Sequence, residues 1–306
     1  MIQRLKDRIN EYFVGKEQVV ENVLICLMAG GHVLLEDVPG VGKTTLAKTV
    51  AGATGLEPGR IQFTPDTLPS DVVGISVYNM KTGEFEYREG AVMKGILLAD
   101  EINRTSPKTQ ASLLEAMAEG RVTVDGKTHE LPDPFMVIAT QNPVEFLGTY
   151  PLPEAQMDRF MMRLSIGYPS AEQEIRLARI YMEGKTEESV KAVCSREDIL
   201  DIRKKTGDVH LSDGVTGYIR EIIASTREEK RFVTGASPRA MLHLIAASRA
   251  KALIEGRDFV KPDDVKAVAV EVLHHRLVLT PEARMHREDT DHIIDSLILK
   301  TGIPME

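Results

Sequence analysis

Residues 34–49 read LLEDVPGVGKTTLAKT: an apolar run ends in a glycine-bearing loop, and the loop passes into a segment of helical periodicity. No other stretch narrows the possible folds as much. A strand that hands over to a helix through so short a loop opens a β-loop-α unit, and repeated units of this kind stack parallel strands between covering helices. The alternation continues downstream, with short strand candidates at Arg60 to Phe63, Gly95 to Ala99, Phe135 to Thr140 and Arg163 to Ile166. Upstream, Val19, Val20, Val23, Leu24, Leu27 and Met28 fall at helical spacing before Gly30-Gly31, so a helix is expected over Glu17 to Ala29.

Two segments interrupt this pattern. Ile75 and Val77 alternate with polar residues, Lys81-Thr82-Gly83 supplies a turn, and Phe85 and Tyr87 alternate with Glu84, Glu86 and Arg88, the period-two signature of a β-hairpin. A second hairpin is expected over Arg121 to Glu130, around the turn Asp125-Gly126. Hairpins projecting from a rigid core suit partner contacts, and a surface ribbon without such a role explains the same letters. After Tyr168-Pro169-Ser170 the pattern becomes helix after helix: roughly Ala171 to Glu183, Arg196 to Thr206, Asp213 to Arg227, Ser237 to Glu255 and Pro262 to Leu277. The expectation is an α/β domain over residues 1–170, with a parallel sheet and two inserted hairpins, then a smaller all-helical domain over residues 171–306.

The chemistry lies at the strand ends. Gly42, Lys43 and Thr44 fit the close of G-x-x-x-x-G-K-[ST], the P-loop, in which glycines turn backbone amides toward phosphates and the following helix N-terminus favours negative charge. The nucleotide-holding set expected here is Pro39, Gly40, Val41, Gly42, Lys43, Thr44 and Thr45, with the Thr44 hydroxyl also a ligand of Mg²⁺. Asp37 stands where the pattern has its first glycine, and a carboxylate beside phosphates is unfavourable unless it points away. GILLADE, residues 95–101, is an apolar strand closing on two carboxylates, the Walker B arrangement. Asp100 is expected to hold Mg²⁺, chiefly through its water shell, and Glu101 to polarise the water that attacks the γ phosphate. A buried strand followed by a helix-capping Asp is the plainer account of that feature alone. Asn142 ends VIATQN, where it could sense the γ phosphate, or could simply start a turn before Pro143. Arg159 in EAQMDRF and Arg239 in GASPRA each begin or end a short helical stretch, and either alone reads as an ordinary ion-paired arginine.

Taken together, EDVPGVGKTT, LLADEINRTSPKTQASLLEAMAEGRVTVDG, VIATQNPVEFLGTYPLPEAQMDRFMM, GASPRA and EVLHHRL resemble a MoxR-family AAA+ ATPase over most of residues 14–280. The resemblance implies a P-loop AAA+ three-layer αβα domain followed by a helical lid, with the hairpins as the helix-2 and pre-sensor-1 inserts. It implies Lys43 and Thr44 as the Walker A pair, Asp100 and Glu101 as the Walker B pair, and Asn142 as sensor 1. It makes Arg159 the arginine finger entering an adjacent subunit, Arg239 the sensor-2 arginine at the nucleotide, and Val14-Gly15 the segment closing around adenine. Arg104 of DEINR is placed at a subunit boundary. ATP and Mg²⁺ follow as cofactors, a hexameric homo-oligomeric ring as the assembly, and client proteins carrying von Willebrand factor A domains as partners. The activity implied is ATP hydrolysis coupled to remodelling or chaperone-like maturation of client complexes.

A net charge of -8 and a pI near 5.6 argue against a standing attraction for nucleic acid, which disfavours a nucleic-acid motor on the same scaffold. A non-catalytic nucleotide-dependent scaffold is favoured only by Asp37. The longest apolar run, Val23 to Gly31, falls short of the ~20 residues of a spanning helix. The charged opening MIQRLKDRINEYFVG lacks an apolar signal core, so a cytoplasmic protein is expected. The two cysteines, Cys26 and Cys194, have no metal-ligand spacing and are expected to be plain thiols.

Overall fold

The computed structural model describes residues 1–142 and 148–303 of the 306-residue chain. Helices α1 (Ile2–Tyr12) and α2 (Glu17–Met28) lead into β1 (Val33–Glu36), the glycine loop and α3 (Lys43–Thr54). Next come β2 (Pro58–Gln62), α4 (Pro69–Val73) and a hairpin of β3 (Gly74–Asn79) and β4 (Glu84–Glu89). β5 (Ile96–Asp100), α5 (Pro107–Glu119) and a second hairpin of β6 (Arg121–Val124) and β7 (Lys127–Glu130) follow. β8 (Met136–Gln141), α6 (Glu154–Met157) and β9 (Met162–Leu164) complete the sheet.

The five core strands lie in the order β2-β5-β8-β1-β9, and every neighbouring pair is parallel. Their side chains alternate between two apolar layers, as period two requires. Val33, Leu35, Ile96, Leu98, Met136 and Ile138 join α1, α2 and α3 on one face. Leu34, Leu97, Ala99, Val137 and Ala139 join Leu113, Leu114 and Phe160 on the other. Burying each of the larger of these side chains contributes roughly 1.5–3 kcal/mol, so the strands are fixed in register from both sides. That register matters for function: Glu36 lies opposite Gln141, and Ala99 opposite Ala139, so the chain leaves β1, β5 and β8 at one edge of the sheet. Open parallel sheets bind ligands at that carboxyl edge.

The remaining chain is mostly helical: α7 (Ala171–Met182), α8 (Arg196–Asp208), α9 (Asp213–Glu228), α10 (Pro238–Ile254), α11 (Pro262–Leu273), α12 (Pro281–Met285) and α13 (Thr290–Lys300). Serines 170, 195, 212 and 237 cap α7 to α10 by accepting a backbone N–H, which explains the abrupt helix starts. The second domain is not all-helical as expected, and α12 and α13 also lie beyond the helices the sequence indicated. β10 (Phe232–Thr234) pairs antiparallel with β11 (Val278–Leu279), and strands of three and two residues are too short to show a period. The lid core around Tyr218, Ile219, Leu244 and Val268 is continuous with the α2 side of the sheet. Glu21 of α2 reinforces the junction, receiving Lys6 at 2.8 Å and Lys251 of α10 at 2.6 Å. Burial alone would raise the Glu21 carboxyl, but the two ammonium groups outweigh it and hold the carboxyl below its usual value.

Candidate nucleotide-binding site

The glycine loop takes the backbone shape that an anion cradle needs. Gly40 and Gly42 have φ of 86° and 92°, in the left-handed region open mainly to glycine. Gly42 is the N-cap of α3 and brings no side-chain cap, so the first amides of a 12-residue helix keep their donors for a ligand. The residues present therefore fit a phosphate group. Lys43 Nζ donates to the carbonyl of Asp37 at 2.8 Å, which folds the ammonium back over the loop.

Asp37 meets the condition set by its charge. Its carboxylate is buried and turned out of the loop, where Oδ2 accepts from Ser165 Oγ at 3.2 Å, Ile166 N at 2.5 Å and Gly167 N at 2.8 Å. The residue that departs from the P-loop pattern thus ties the loop to the chain leaving β9.

Beside the loop lies a cleft of about 200 Å³. Val14 and Gly15 form one wall, Gly40, Val41, Gly42 and Thr45 the floor, and Ile166, Gly167 and Leu177 the opposite wall. Gly15 packs on the Phe13 ring, where a Cβ would stand 2.5 Å away, and its carbonyl accepts from Gln173 Nε2 at 2.9 Å. Val14 and Gly15, which the resemblance puts around adenine, line this cleft, and the residue 166–177 wall was not anticipated from the sequence. Its only signal was the capping pair Ser170 and Gln173, which reads as a helix start rather than as part of a site.

Thr140 organises the paired carboxylates. Its Oγ1 donates to Asp100 Oδ1 at 2.6 Å and accepts from Glu101 N at 2.9 Å, so one buried hydroxyl on β8 sets the end of β5. Arg60 donates to the second oxygen, Asp100 Oδ2, at 2.9 Å. Glu101 adopts φ 56° and ψ 50°, a left-handed conformation costing a non-glycine residue ~1 kcal/mol or more. Its Oε2 accepts from Gln62 Nε2 at 2.8 Å and pairs with Arg104 Nε at 3.2 Å. Arg104, placed by resemblance at a subunit boundary, thus pairs with Glu101 within the chain. Asn142 directly follows β8, is 5% exposed, and its carbonyl accepts from Asn103 Nδ2 at 3.5 Å. Pro143, where the alternative reading put a turn, lies outside the described residues.

The chain brings Val14, Gly15, residues 39–45, Asp100, Glu101 and Asn142 to the carboxyl edge of the sheet. It does not bring Arg159 and Arg239 there. These two line one small cavity with Gly30, Gly31, His32 and His243, at the amino edge where the chain enters β1. Arg159 Nη1 donates to the Leu114 carbonyl, and Arg239 Nη1 reaches Asp158 Oδ2 at 3.5 Å. The four residues of β1, rising about 3.3 Å each, separate the two edges by ~13 Å, beyond the reach of one arginine side chain. GASPRA starts α10, and within this chain Arg239 lies at the amino edge, away from the glycine loop.

This sheet order, a glycine loop before an uncapped helix, paired carboxylates at the end of β5, which β8 separates from β1, and a helical lid define an ATPase of the AAA+ class, a nucleotide-binding protein. The family described as "ATPase family associated with various cellular activities (AAA)" matches residues 32–162, and the AAA lid domain matches residues 224–297. The chain belongs to the MoxR family of AAA+ ATPases. It is 40% identical to chaperone MoxR1 of Mycobacterium tuberculosis over 99% of this chain and 82% of that protein. It is 31% identical to protein MoxR of Paracoccus denitrificans over 97% of this chain and 94% of the relative. It is also 47% identical to an uncharacterised Bacillus subtilis protein, YeaC, over 100% of this chain and 96% of the relative. The crystal structure of a candidate ATPase from Cytophaga hutchinsonii superposes with a TM-score of 0.93 at 40% identity, over 99% of this chain and 95% of the other. Among the described residues no helix is long and apolar enough to cross a membrane.

Proposed function

We propose that this chain hydrolyses ATP at sites shared between neighbouring copies in a closed ring, a hexamer by family resemblance, and uses the cycle to remodel or mature client protein complexes. The observation that carries the reading is the separation of Arg159 and Arg239 from the Walker residues of the same chain. In each copy the amides of residues 39–45 and Lys43 hold the phosphates, while Val14, Gly15 and the residue 166–177 wall hold the adenine. Thr44 and Asp100 would hold Mg²⁺, which neutralises phosphate charge when bound. Glu101 orients and polarises the attacking water, and Asn142 positions it against the γ phosphate. Arg159 and Arg239 of the next copy supply positive charge to the phosphoryl group in flight, a contribution worth ~10³ to 10⁵ in rate for arginines that act this way elsewhere. The domain boundary expected near residue 170 falls beside the cleft, whose lining includes Tyr168, Pro169, Gln173 and Leu177.

The client role rests on the relative named as a chaperone, and a partner with a von Willebrand factor A domain is the expectation from resemblance. The acidic chain supports a protein client over a nucleic acid. Turnover per chain should rise with protein concentration, and Glu101→Gln should bind ATP without turning it over. Turnover that is flat with concentration, or a Glu101→Gln variant as fast as the natural chain, would overturn the reading.

A further inference from the structure

None of the 12 residues of α7 is buried. Ile175, Tyr181 and Met182 are 56%, 84% and 74% exposed, and Tyr168, just before the helix, is 79% exposed. Ile175, Ala178 and Met182 recur at three- and four-residue spacing and form a continuous apolar strip, with Tyr181 on its flank. Gln173, through the Gly15 carbonyl, and Arg176, through the Asn10 carbonyl, tie the opposite side of the helix to the body. A helix of about 12 residues is marginal in water without a packed apolar face, and soluble chains rarely leave such a strip open unless something docks there.

We propose that this strip, with Tyr168, is the docking surface for a second copy of the chain, the copy that delivers Arg159 and Arg239. The inference rests on the proposal that those arginines act on a neighbour's nucleotide. Two observations point to this occupant. α7 borders the nucleotide cleft through Gln173 and Leu177, so a body that brings arginines to the phosphates from that side settles on the rim that α7 forms. The arriving face also carries an apolar counterpart: Leu242, 65% exposed, lies three residues from Arg239 on α10. The contact is head to tail, joining α7 of one copy to the start of α10 of the next, the kind that closes into a ring when the rotation permits.

Ile175→Glu and Met182→Glu place charges on the strip at exposed positions outside the cleft, and Leu242→Glu does the same on the opposing face. Each is compared with the natural chain and with Glu172→Gln, a control beside the strip, by sedimentation velocity in Mg-ATP over a concentration series. The three strip and counterface variants should need about tenfold or more protein to assemble, and lose turnover in parallel at fixed concentration. Their affinity for a fluorescent ATP analogue as monomers should stay within about twofold of the natural chain, since own-site residues are untouched. Normal assembly of Ile175→Glu and Met182→Glu would overturn the proposal while leaving shared-site hydrolysis standing. So would variants that assemble and hydrolyse normally but fail to act on a client, because the strip would then belong to the client. A natural chain that hydrolyses as a monomer would instead defeat the underlying reading.

Discussion

Arg276 Nε donates to Asp158 Oδ1 at 2.7 Å, and the same guanidinium reaches the carbonyls of Asp158 at 3.2 Å, Phe160 at 2.5 Å and Met161 at 3.2 Å. A lid arginine therefore clasps the segment that carries Arg159, one residue from Asp158. A second lid arginine, Arg239, and Ser237 share that carboxylate, Ser237 Oγ at 3.0 Å. Because the Arg276 side chain is 2% exposed, removing it takes a buried charged donor from the Asp158 carboxylate and from the Asp158, Phe160 and Met161 carbonyls. Arg276→Met should lower unfolding free energy by on the order of 3 kcal/mol, read from urea denaturation. Arg276→Lys should recover less than half of it, since an ammonium cannot reproduce the planar fork.

Thr140→Val keeps volume and removes the hydroxyl that joins Asp100 to the Glu101 amide. The fold should lose only about 1–2 kcal/mol, the scale of buried hydrogen bonds. ATP turnover should fall by about tenfold or more, because Glu101 is held in a strained conformation that the Thr140 contact helps define. Steady-state kinetics beside thermal melts separate the two effects. Turnover within twofold of the natural chain would show that Thr140 acts on the fold alone.

Replacing Asp37 with the glycine that the P-loop pattern prefers should damage this chain. Ile166 and Gly167 would each lose the acceptor for a backbone amide, at about 1–3 kcal/mol for each amide left unsatisfied. The loop would also lose its tie to the cleft wall at residues 166 and 167. Calorimetry should show weaker ATP binding for Asp37→Gly by about tenfold, and Asp37→Asn, which keeps an acceptor oxygen, should retain more of the affinity.

Acid should loosen the base of the sheet before it titrates most carboxylates. His32 is buried, with Nδ1 accepting from Val137 N at 3.0 Å and Nε2 against the Met117 carbonyl at 3.3 Å. Burial, opposed by the Met117 carbonyl and aided by the Arg203 charge, lowers its pKa from 6.5 to about 4. Burial and Arg276 lower His243 in the same direction, to about 3. The unfolded chain therefore binds more protons than the folded one below pH 6.5. The stability contributed by the neutral rings is complete above that value and drains away as pH falls through about 4, by on the order of 3 kcal/mol for His32. Urea midpoints between pH 7 and pH 4.5 should fall accordingly, and His32→Gln should flatten the slope.

The strand ends and both hairpins were legible because each follows from a local pattern: a short apolar run closed by glycine or carboxylates, or period two around a turn. What was not legible depends on contacts far apart in the chain. The orientation of Asp37 is set by amides at residues 166 and 167, and nothing near residue 37 announces them. The cleft wall beyond Pro169 is likewise completed by residues more than a hundred positions from the glycine loop. Arg239 illustrates the other limit, since GASPRA fixes a helix start but not the edge of the sheet against which that helix packs. α1 also escaped notice, its charged face masking the buried Leu5 and Ile9.

The placement of carboxylates at one edge of the sheet and arginines at the other has a genetic consequence. A chain crippled at Glu101 still carries a sound pair of arginines, and one crippled at Arg159 still carries a sound pocket. Co-expressed, two such inactive alleles should rescue each other wherever the good halves meet, whereas two alleles damaged at the same edge never should.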